Sequence, residues 1–301
     1  MTTVFAIIVT YNAMRRQWIE HCLESLCQST QAVTPIVVDN GSTDGTCDYM
    51  QTHHPEAVFL PQGRNLGFGQ ANNVGIRYAL SHHADHILLL NQDATLHPEA
   101  LAQMLAVSDR QSILSPLQLN GDGSQLDKLF KYVLLQADHQ LIDDVLIGLP
   151  LKSSYANGRY AAACWLMPAS LIEVVGGFNP LFFHYSEDYN YLHRIAYHGM
   201  KTLLVPGAIM YHDRKQHGSN QVYNHKQLRR DMLLAACDVN KSPLQCILQW
   251  GRILVYRYSR DLPAHNYIPG SFCVELFWIL AHLRKIAKSR KAEKVKGRTW
   301  L

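Results

Sequence analysis

The amino-acid sequence predicts an α/β protein organised around a mostly parallel β-sheet. Through the first hundred residues, short apolar runs rich in valine, isoleucine and leucine alternate with segments that have helical spacing. Several of the apolar runs end in polar or acidic clusters, and ligands of open α/β sheets bind where the carboxyl ends of the strands lie. Strand and helix in alternation also predict right-handed crossover connections.

The predicted elements follow one another closely in the first third of the chain. Val4 to Val9 is continuously apolar, as in a central strand that is covered on both faces. The elements that follow are a helix over 17–28, a strand over 35–38, a helix over 47–53, a strand over 57–60, a helix ending at His82 and a strand over 87–90.

The rest of the chain gives a less regular pattern. We predict strands over 113–116, 161–168 and 202–205, helices over 171–175 and 189–197, and mostly helix from Asn224 onward. Gly199 is placed to end the second of those helices. The remainder of 109–158 is ambiguous.

Composition describes an ordinary globular chain of 301 residues, with 48% hydrophobic and 17% charged residues. The net charge of +4 does not indicate nucleic acid binding. Its distribution is uneven, because the segment from Arg284 to the end holds eight basic residues and one acid, Glu293. The apolar stretch 272–283 before it could lie in a membrane interface, or it could be a helix packed on the protein with a solvated basic tail.

The seven cysteines are scattered, odd in number and without a Cys-x-x-Cys pair, which favours a reduced, cytoplasmic protein. The chain begins directly with a strand, so we expect no signal peptide. No stretch of 18 uninterrupted apolar residues occurs, so we expect no transmembrane helix.

Two carboxylates follow strands and should lie at the same edge of the sheet. Asp93 ends the cluster Asn91-Gln92-Asp93, and Asp39 ends the second strand. Asp93 suits a divalent cation that bridges a diphosphate, with His212 as a second ligand. Asp39 suits the N3–H of a pyrimidine base, flanked by the 10–12 strand end. Either aspartate is also a common turn or cap residue.

A glycine-rich segment begins near Gly67, but it lacks the dinucleotide fingerprint. Asn72 stands at the third glycine position, and the segment does not follow the first strand, so we reject a Rossmann dehydrogenase. Gly67 permits close approach of the backbone, while Arg64 and Asn72 offer donors to phosphate or sugar. An ordinary glycine-rich loop is the alternative interpretation.

A third acidic cluster, Glu187-Asp188, follows a run of aromatic residues and opens a predicted helix. Such a pair can satisfy free amides at a helix start. It can also contain a general base whose pKa is tuned by a partly apolar pocket.

Taken together, these clusters resemble the family 2 inverting glycosyltransferases with the GT-A fold. The resemblance covers roughly residues 3–217 in family order. It rests on the following motifs: Val9-Thr10-Tyr11-Asn12, Val38-Asp39-Asn40-Gly41-Ser42-Thr43-Asp44, Asn65 to Gly75, Leu90-Asn91-Gln92-Asp93, Gly176-Gly177-Phe178, Glu187-Asp188 with Arg194, and Val205-Pro206 leading to His212.

The resemblance implies a role for each motif. Asp188 matches the base that deprotonates the acceptor, and Asp93 and His212 match ligands of Mn²⁺ or Mg²⁺. Two positions depart from the family: Asn91 replaces the first acid of the D-x-D motif, as in the rhamnosyl- and galactofuranosyltransferase-like branch, and Asn190 stands where an acid is frequent. The implied donor site consists of Thr10, Tyr11, Asn12, Asp39, Asn40, Arg64, Gly67, Asn72, Asn91, Gln92 and Asp93, and the acceptor side includes Trp165 and Glu187.

The expected organisation is a GT-A catalytic domain over 1–220, with a nucleotide-sugar half over 1–108 and an acceptor half over 109–220. A helical extension with the basic tail fills 221–301. The resemblance implies transfer from a nucleoside-diphosphate sugar, dTDP-rhamnose-like or a UDP-sugar, to a glycan or a polyprenyl-diphosphate-linked saccharide in surface polysaccharide synthesis. The protein is expected in the cytoplasm, at the inner face of the membrane if the C-terminal segment binds there, and a homo-oligomer stays open.

Three other functions fit the sequence less well. A non-catalytic nucleotide-sugar-binding protein of the same fold is disfavoured because both Asp93 and Asp188 are present. A nucleotidyltransferase would carry a basic glycine-rich loop after the first strand, where Thr10-Tyr11-Asn12 stands instead. A glycoside hydrolase needs two carboxylates that flank the bond and has no use for a nucleotide site.

Overall fold

The structure, a computed structural model, describes residues 2–156, 158–214, 225–261 and 271–301. The strands are β1 (Val4–Thr10), β2 (Thr34–Asp39), β3 (Val58–Phe59), β4 (His86–Asn91), β5 (Ala94–Leu96), β6 (Ser112–Asn120), β7 (Tyr155–Ala156), β8 (Cys164–Pro168) and β9 (Lys201–His212).

Helices flank the sheet and make up most of the C-terminal third of the chain. They are α1 (Trp18–Cys27), α2 (Thr46–His53), α3 (Phe68–Ser81), α4 (Ala100–Ala106), α5 (Lys128–Ala137), α6 (His139–Ile147), α7 (Ala169–Val175), α8 (Glu187–Tyr197), α9 (His225–Cys237), α10 (Pro243–Asp261) and α11 (Ser271–Glu293). The predicted strands and helices are present with small shifts at their ends, and β9 is much longer than the predicted 202–205.

The strands form one mixed sheet in the order β3-β2-β1-β4-β8-β6-β9-β5, with β7 paired to β9. β1 runs parallel to β2 and to β4, and its register places Thr10 beside Asp39 and Val9 beside Asn91. β8 runs antiparallel to both of its neighbours. The polar clusters after β1, β2 and β4 therefore share one edge, as the sequence predicted.

Alternate residues of the strands pack against helices on opposite faces of the sheet, because side chains along a strand alternate in direction. Ala6 and Ile8 of β1 lie in a core with α1, α2 and α4. Phe5 and Ile7 lie in a second core with α3, α7 and α8. Full burial of one such aliphatic side chain contributes about 1.5–3 kcal/mol, so this sandwich holds the strand ends rigidly at the edge.

The ambiguous region contains β6, the consecutive helices α5 and α6, and the short strand β7. The inner faces of the two helices have a small core of their own. Phe130, Leu134 and Leu141 pack there with Tyr155, Tyr160 and Leu204.

The C-terminal helices pack through a core that includes Leu228, Met232 and Ile279. The last residues then return to the first 220 residues of the chain: the Gly177 amide donates to the Thr299 carbonyl at 2.8 Å, and Leu301 packs on the core beneath α3 and α8. The predicted boundary at 220 falls outside the described residues. None of the described helices combines the length and apolarity needed to cross a membrane.

Candidate active site

Side-chain hydrogen bonds join the loops after β1 and β2. The Thr10 hydroxyl donates to Asp39 Oδ1 at 3.1 Å. The Asn12 amide donates to Ser42 Oγ at 2.9 Å, and the Thr43 amide donates to Asn12 Oδ1 at 2.9 Å. Asn12 adopts a left-handed backbone with φ of 53°, a conformation that asparagine tolerates. The two loops therefore form one preorganised surface.

Asp39 organises this surface from beneath and is only 1% exposed. Its Oδ2 accepts the amides of Gly41 and Ser42 at 3.1 and 3.0 Å, and its Oδ1 accepts the Ser42 hydroxyl. The thiol of Cys47 lies 3.4 Å from Oδ2 as well. Both carboxylate oxygens therefore accept hydrogen bonds within the protein, and Asp39 stabilises the turn after β2, as the alternative interpretation of this residue predicts. Contact of this carboxylate with a nucleobase, expected from the resemblance, stays a prediction and requires one of these donors to give way.

Gln92 and Asn40 fasten neighbouring segments to the same edge. The Tyr11 amide donates to Gln92 Oε1 at 2.8 Å, and Gln92 Nε2 donates back to the Tyr11 carbonyl at 3.3 Å. Asn40 Oδ1 accepts the Leu66 amide at 2.7 Å. Tyr11 is 48% exposed at this edge, so its aromatic side chain is accessible to a ligand.

Two predicted donor-site residues in the glycine-rich segment have internal partners. Asn72 is 1% exposed and its Nδ2 donates to the Phe68 carbonyl one turn earlier. A Cβ on Gly67 would lie 2.0 Å from the Phe183 carbonyl oxygen. The close approach that Gly67 permits is therefore made by the loop before α8, whereas Arg64 is exposed.

Asp93 and His212 meet where β4 and β9 end. Asp93 Oδ1 lies 3.3 Å from His212 Nε2, and Asn91 Nδ2 lies 3.5 Å from the same nitrogen. The His212 side chain is 1% exposed and that of Asp93 is 22% exposed, so the pair opens to solvent on the carboxylate side.

Two residues that the sequence analysis missed hold the other side of His212. Arg214 Nε donates to His212 Nδ1 at 3.0 Å, and Asp127 Oδ2 lies 4.0 Å from Nδ1 and 3.4 Å from Arg214 Nε. Since an arginine can only donate, Nδ1 is an acceptor here and the imidazole proton faces Asp93.

The donor set fits a hard divalent cation, provided that the imidazole proton moves. A cation on Nε2 needs the proton on Nδ1, where Arg214 now donates. Asp127 Oδ2 lies 4.0 Å from Nδ1 and would accept that proton once Arg214 gives way, in the manner of carboxylate–histidine–metal arrangements. Mg²⁺ and Mn²⁺ take one or two carboxylates together with phosphate oxygens, and the imidazole favours Mn²⁺. The described residues contain no group of three or more His, Cys, Asp or Glu around one position, so the protein alone supplies an incomplete ligand set.

The Glu187-Asp188 pair forms the start of α8, within electrostatic reach of Arg214. Burial, then the charge of Asp188, raises the pKa of Glu187 to about 8, and its Oε2 has no hydrogen-bond partner. Burial also raises the pKa of Asp188, but the amides of Tyr189 and Ala162 and the charge of Arg214 oppose that rise. The shared negative charge therefore resides on Asp188 while Glu187 keeps its proton.

The backbone before the pair is strained. Tyr185 and Ser186 both adopt left-handed conformations, with φ of 65° and 70°, although neither is glycine. Such residues persist where their surroundings fix them, and they cluster at functional sites. Here the Phe183 carbonyl is pressed against Gly67, so the acidic pair is fixed relative to the donor-side helix α3.

Helix α8 is held from behind by the end of α11. Glu293 is 1% exposed and its Oε1 accepts from Asn179 Nδ2 at 2.6 Å and Asn190 Nδ2 at 2.9 Å. The wholly buried Arg194 donates to the Gly177 carbonyl at 2.6 Å, and its guanidinium stacks 4.6 Å from the Trp300 ring. At Asn190, where an acid is frequent in the family, this chain brings a carboxylate from 103 residues further along. Sequence reasoning had no signal for that contact.

Trp165, expected on the acceptor side, lies in the core of the sheet. It is 0% exposed, its Nε1 donates to the Tyr160 carbonyl at 3.1 Å, and its ring stacks on Phe178. The apolar strand β8 turns this side chain inward, so Trp165 packs beneath the site and offers no surface to an acceptor.

Residues 5–120 match the Glycosyl transferase family 2 model. This is the segment that carries the strand ends with Asp39 and Asp93. By this match, the segment 5–120 is similar to the family 2 glycosyltransferases.

The curated proteins to which this chain is similar include two rhamnosyltransferases. The chain is 28% identical over 244 residues to the N-acetylglucosaminyl-diphospho-decaprenol L-rhamnosyltransferase of Mycobacterium tuberculosis, which covers 71% of this chain and 77% of the relative. It is 24% identical over 220 residues to the dTDP-rhamnosyl transferase RfbF of Shigella flexneri, covering 70% of this chain and 69% of the relative.

Solved structures identify the fold as GT-A. S. aureus TarS, residues 1–349, superposes with a TM-score of 0.59 at 13% identity over 97% of this chain and 88% of that one. The mannosyltransferase PcManGT of Pyrobaculum calidifontis, in complex with GDP-Man and Mn²⁺, gives a TM-score of 0.54 at 16% identity over 96% of this chain and 83% of that one.

Proposed function

We propose that this glycosyltransferase is metal-dependent and inverting, and that it transfers a sugar from a nucleoside-diphosphate donor to a lipid-linked or glycan acceptor. One observation carries the proposal: Arg214 contacts His212 and lies near enough to Asp188 for its charge to act there. Its Nε is hydrogen-bonded to His212, and its charge acts on the Asp188 carboxylate. A candidate leaving-group site and a candidate base therefore flank one cationic side chain.

The donor is proposed to lie along the edge formed by β1, β2 and β4. The base would rest against the 10–12 and 40–43 loops, beside the exposed ring of Tyr11. The diphosphate would reach Asp93 and His212, with Arg64 and Arg214 as cationic donors to phosphate. Mn²⁺ or Mg²⁺ bound there would neutralise charge on the leaving diphosphate. A dTDP-rhamnose-like donor is our first choice, because relatives named for rhamnosyl transfer support it; a UDP-sugar is the second.

Asp188 is proposed as the general base. Its carboxylate removes the proton of the acceptor hydroxyl while that oxygen forms its bond to C1 of the donor sugar. The bond from C1 to the diphosphate oxygen breaks on the opposite face, so the configuration at C1 inverts. Since Glu187 is held neutral by burial and by the charge on Asp188, it does not compete for the proton.

A relative named for an N-acetylglucosaminyl-diphospho-decaprenol acceptor supports a polyprenyl-diphosphate-linked saccharide as the acceptor, in surface polysaccharide synthesis at the inner face of the membrane. We keep the division into 1–220 and 221–301 as part of the proposal. The exposed apolar residues Val274, Phe277 and Leu280 of α11 agree with C-terminal membrane contact. The end of the chain is less available than a free basic tail, because Arg298 pairs with Glu173 at 2.5 Å.

The test is release of nucleoside diphosphate from dTDP-rhamnose, UDP-galactofuranose and UDP-hexoses in the presence of membranes that contain lipid-linked saccharides. We expect turnover with one donor, and Asp188→Asn should lower kcat by at least about a thousandfold with donor affinity retained. Donor binding without turnover in the unaltered protein would favour the alternative, a non-catalytic nucleotide-sugar-binding protein.

A further inference from the structure

Helices α5 and α6 have an outer surface that the described residues of the protein leave uncovered. Their inner face is complete, because Phe130, Leu134 and Leu141 are buried. The buried acids of the pair are satisfied as well: Asp144 Oδ2 accepts the Tyr155 hydroxyl at 2.7 Å, and Asp138 accepts that of Tyr160. Nothing in this small core requires further apolar residues.

The outer surface is nevertheless strongly apolar. Leu146 is 79% exposed, Ile147 70% and Tyr132 61%. We call the surface between residues 129 and 151 the α5–α6 apolar surface. Its exposed large side chains are Leu129, Tyr132, Leu135, Val145, Leu146, Ile147, Leu149 and Leu151. Helices that are apolar on both sides bury the second side against a partner or a membrane.

The charges around the α5–α6 apolar surface favour a membrane over a partner protein. Lys128 and Lys131 share the exposed side of α5 with Tyr132 and Leu135, while Asp143 is the exposed acid among residues 128–151. An apolar face bordered by lysines is typical of segments that lie in the interface of an anionic membrane.

The surface lies next to the candidate active site. Asp127 caps α5 by accepting the amides of Leu129 and Phe130 at 3.0 and 2.9 Å through Oδ1. Its other oxygen faces His212. Tyr132 lies close enough to act on the pKa of Tyr189, the residue after Asp188.

We infer that the α5–α6 apolar surface docks on an anionic lipid bilayer and so brings the acceptor side of the site to the membrane. The purpose of docking rests on the proposed function, because a polyprenyl-linked acceptor is held in the bilayer. The contact itself follows from exposure and charge. It assigns membrane contact to a surface that lies outside the C-terminal segment.

The test uses full-length protein and sedimentation with two kinds of vesicle: phosphatidylcholine alone, and phosphatidylcholine mixed with phosphatidylglycerol. Leu146→Ser/Ile147→Ser should weaken partition onto the mixed vesicles by at least about tenfold, because two large apolar side chains no longer enter the interface. Lys128→Glu/Lys131→Glu should weaken it by more than about tenfold on mixed vesicles and little on phosphatidylcholine. Phe277→Ser/Leu280→Ser on α11 is the matched comparison.

The inference would be overturned if the Leu146→Ser/Ile147→Ser variant binds the mixed vesicles as well as the unaltered protein does. It would also be overturned if only the α11 variant loses binding. A dimer that the Leu146/Ile147 change dissociates in sedimentation velocity would overturn it as well, since the surface would then meet a second copy. Thermal stabilisation by nucleoside diphosphate, measured on every variant, checks folding. If the unaltered protein is not stabilised by any nucleoside diphosphate, the proposed function alone is refuted. If the unaltered protein does not bind the mixed vesicles, this inference alone is refuted.

Discussion

Glu293 should stabilise both the fold and the position of the candidate base, although it lies at the far end of the chain. Its carboxylate accepts from Asn179 and Asn190, and from the Ser289 hydroxyl at 3.3 Å. It also provides negative charge near the buried Arg194. Glu293→Ala leaves two buried amide groups without their acceptor and removes that charge.

The expected loss follows from the contacts. Removal of one partner from a buried, charged hydrogen-bonded set costs about 3–5 kcal/mol, and each orphaned buried amide accounts for about 1–3 kcal/mol of that. With a total stability of about 5–15 kcal/mol, the loss lowers the melting temperature by on the order of 10 °C. Glu293→Gln keeps an acceptor of similar shape, so its cost should be about 1–2 kcal/mol.

Thermal unfolding of Glu293→Ala, Glu293→Gln and Glu173→Ala measures this directly. Glu173 is the control, because it pairs with Arg298 on the surface and such pairs contribute at most about 1 kcal/mol. In Glu293→Gln, kcat should fall while donor affinity is retained, since α8 carries the base and not the donor site. A melting temperature for Glu293→Ala no lower than that of Glu173→Ala would refute the reasoning.

Three further predictions concern the site. Glu187→Gln should stabilise the protein at pH 8 but not at pH 5. Folded protein keeps the Glu187 proton up to about pH 8 and unfolded protein releases it near pH 4, so the stability of the unaltered protein falls by about 1.4 kcal/mol per pH unit between these values. If the variant and the unaltered protein have the same urea midpoint at pH 8 and also at pH 5, this prediction is contradicted. Gly67→Ala should lower the free energy of unfolding by more than about 2 kcal/mol and abolish activity. Gly45→Ala is the control, because Gly45 has a similar φ of 87° but no atom within 4 Å of the added Cβ. It should lower the free energy of unfolding by about 1 kcal/mol in the same assay. Asp127→Asn should weaken Mn²⁺ binding about tenfold or more in calorimetry with dTDP present, because it removes the negative charge on the Nδ1 side of His212; unchanged Mn²⁺ affinity would exclude that role.

The strand ends could be predicted because their signal is local. An apolar run that stops at a polar cluster predicts a buried strand whose end lies at the edge of the sheet. The parallel register of β1, β2 and β4 then places Thr10, Asp39 and Asn91 side by side. The identity of Asp39 indicated equally a ligand contact and a turn. Only the structure shows how many donors its two oxygens already accept.

What the sequence could not give is long-range or depends on orientation. Trp165 gave no sign of which way it points, and strand β8 turns it into the core. Helices α5 and α6 were ambiguous because large apolar side chains such as Leu135 and Leu146 also lie on their exposed side, which blurs the contrast between the apolar and polar sides of a helix. The basic C-terminal segment suggested a solvated or lipid-bound tail, yet the Arg290 guanidinium donates to the carbonyls of Asp238 and Lys241 at 2.6 and 2.7 Å.

The central claim, a metal-assisted nucleoside-diphosphate site at Asp93 and His212, is tested most directly by thermal stabilisation with dTDP and UDP, with and without Mn²⁺. A ligand that binds only the folded state must raise the melting temperature. The account predicts a shift with one of the two nucleotides that depends on Mn²⁺ and is lost in Asp93→Ala. No shift with any pyrimidine diphosphate, or a shift that Asp93→Ala retains in full, would contradict it.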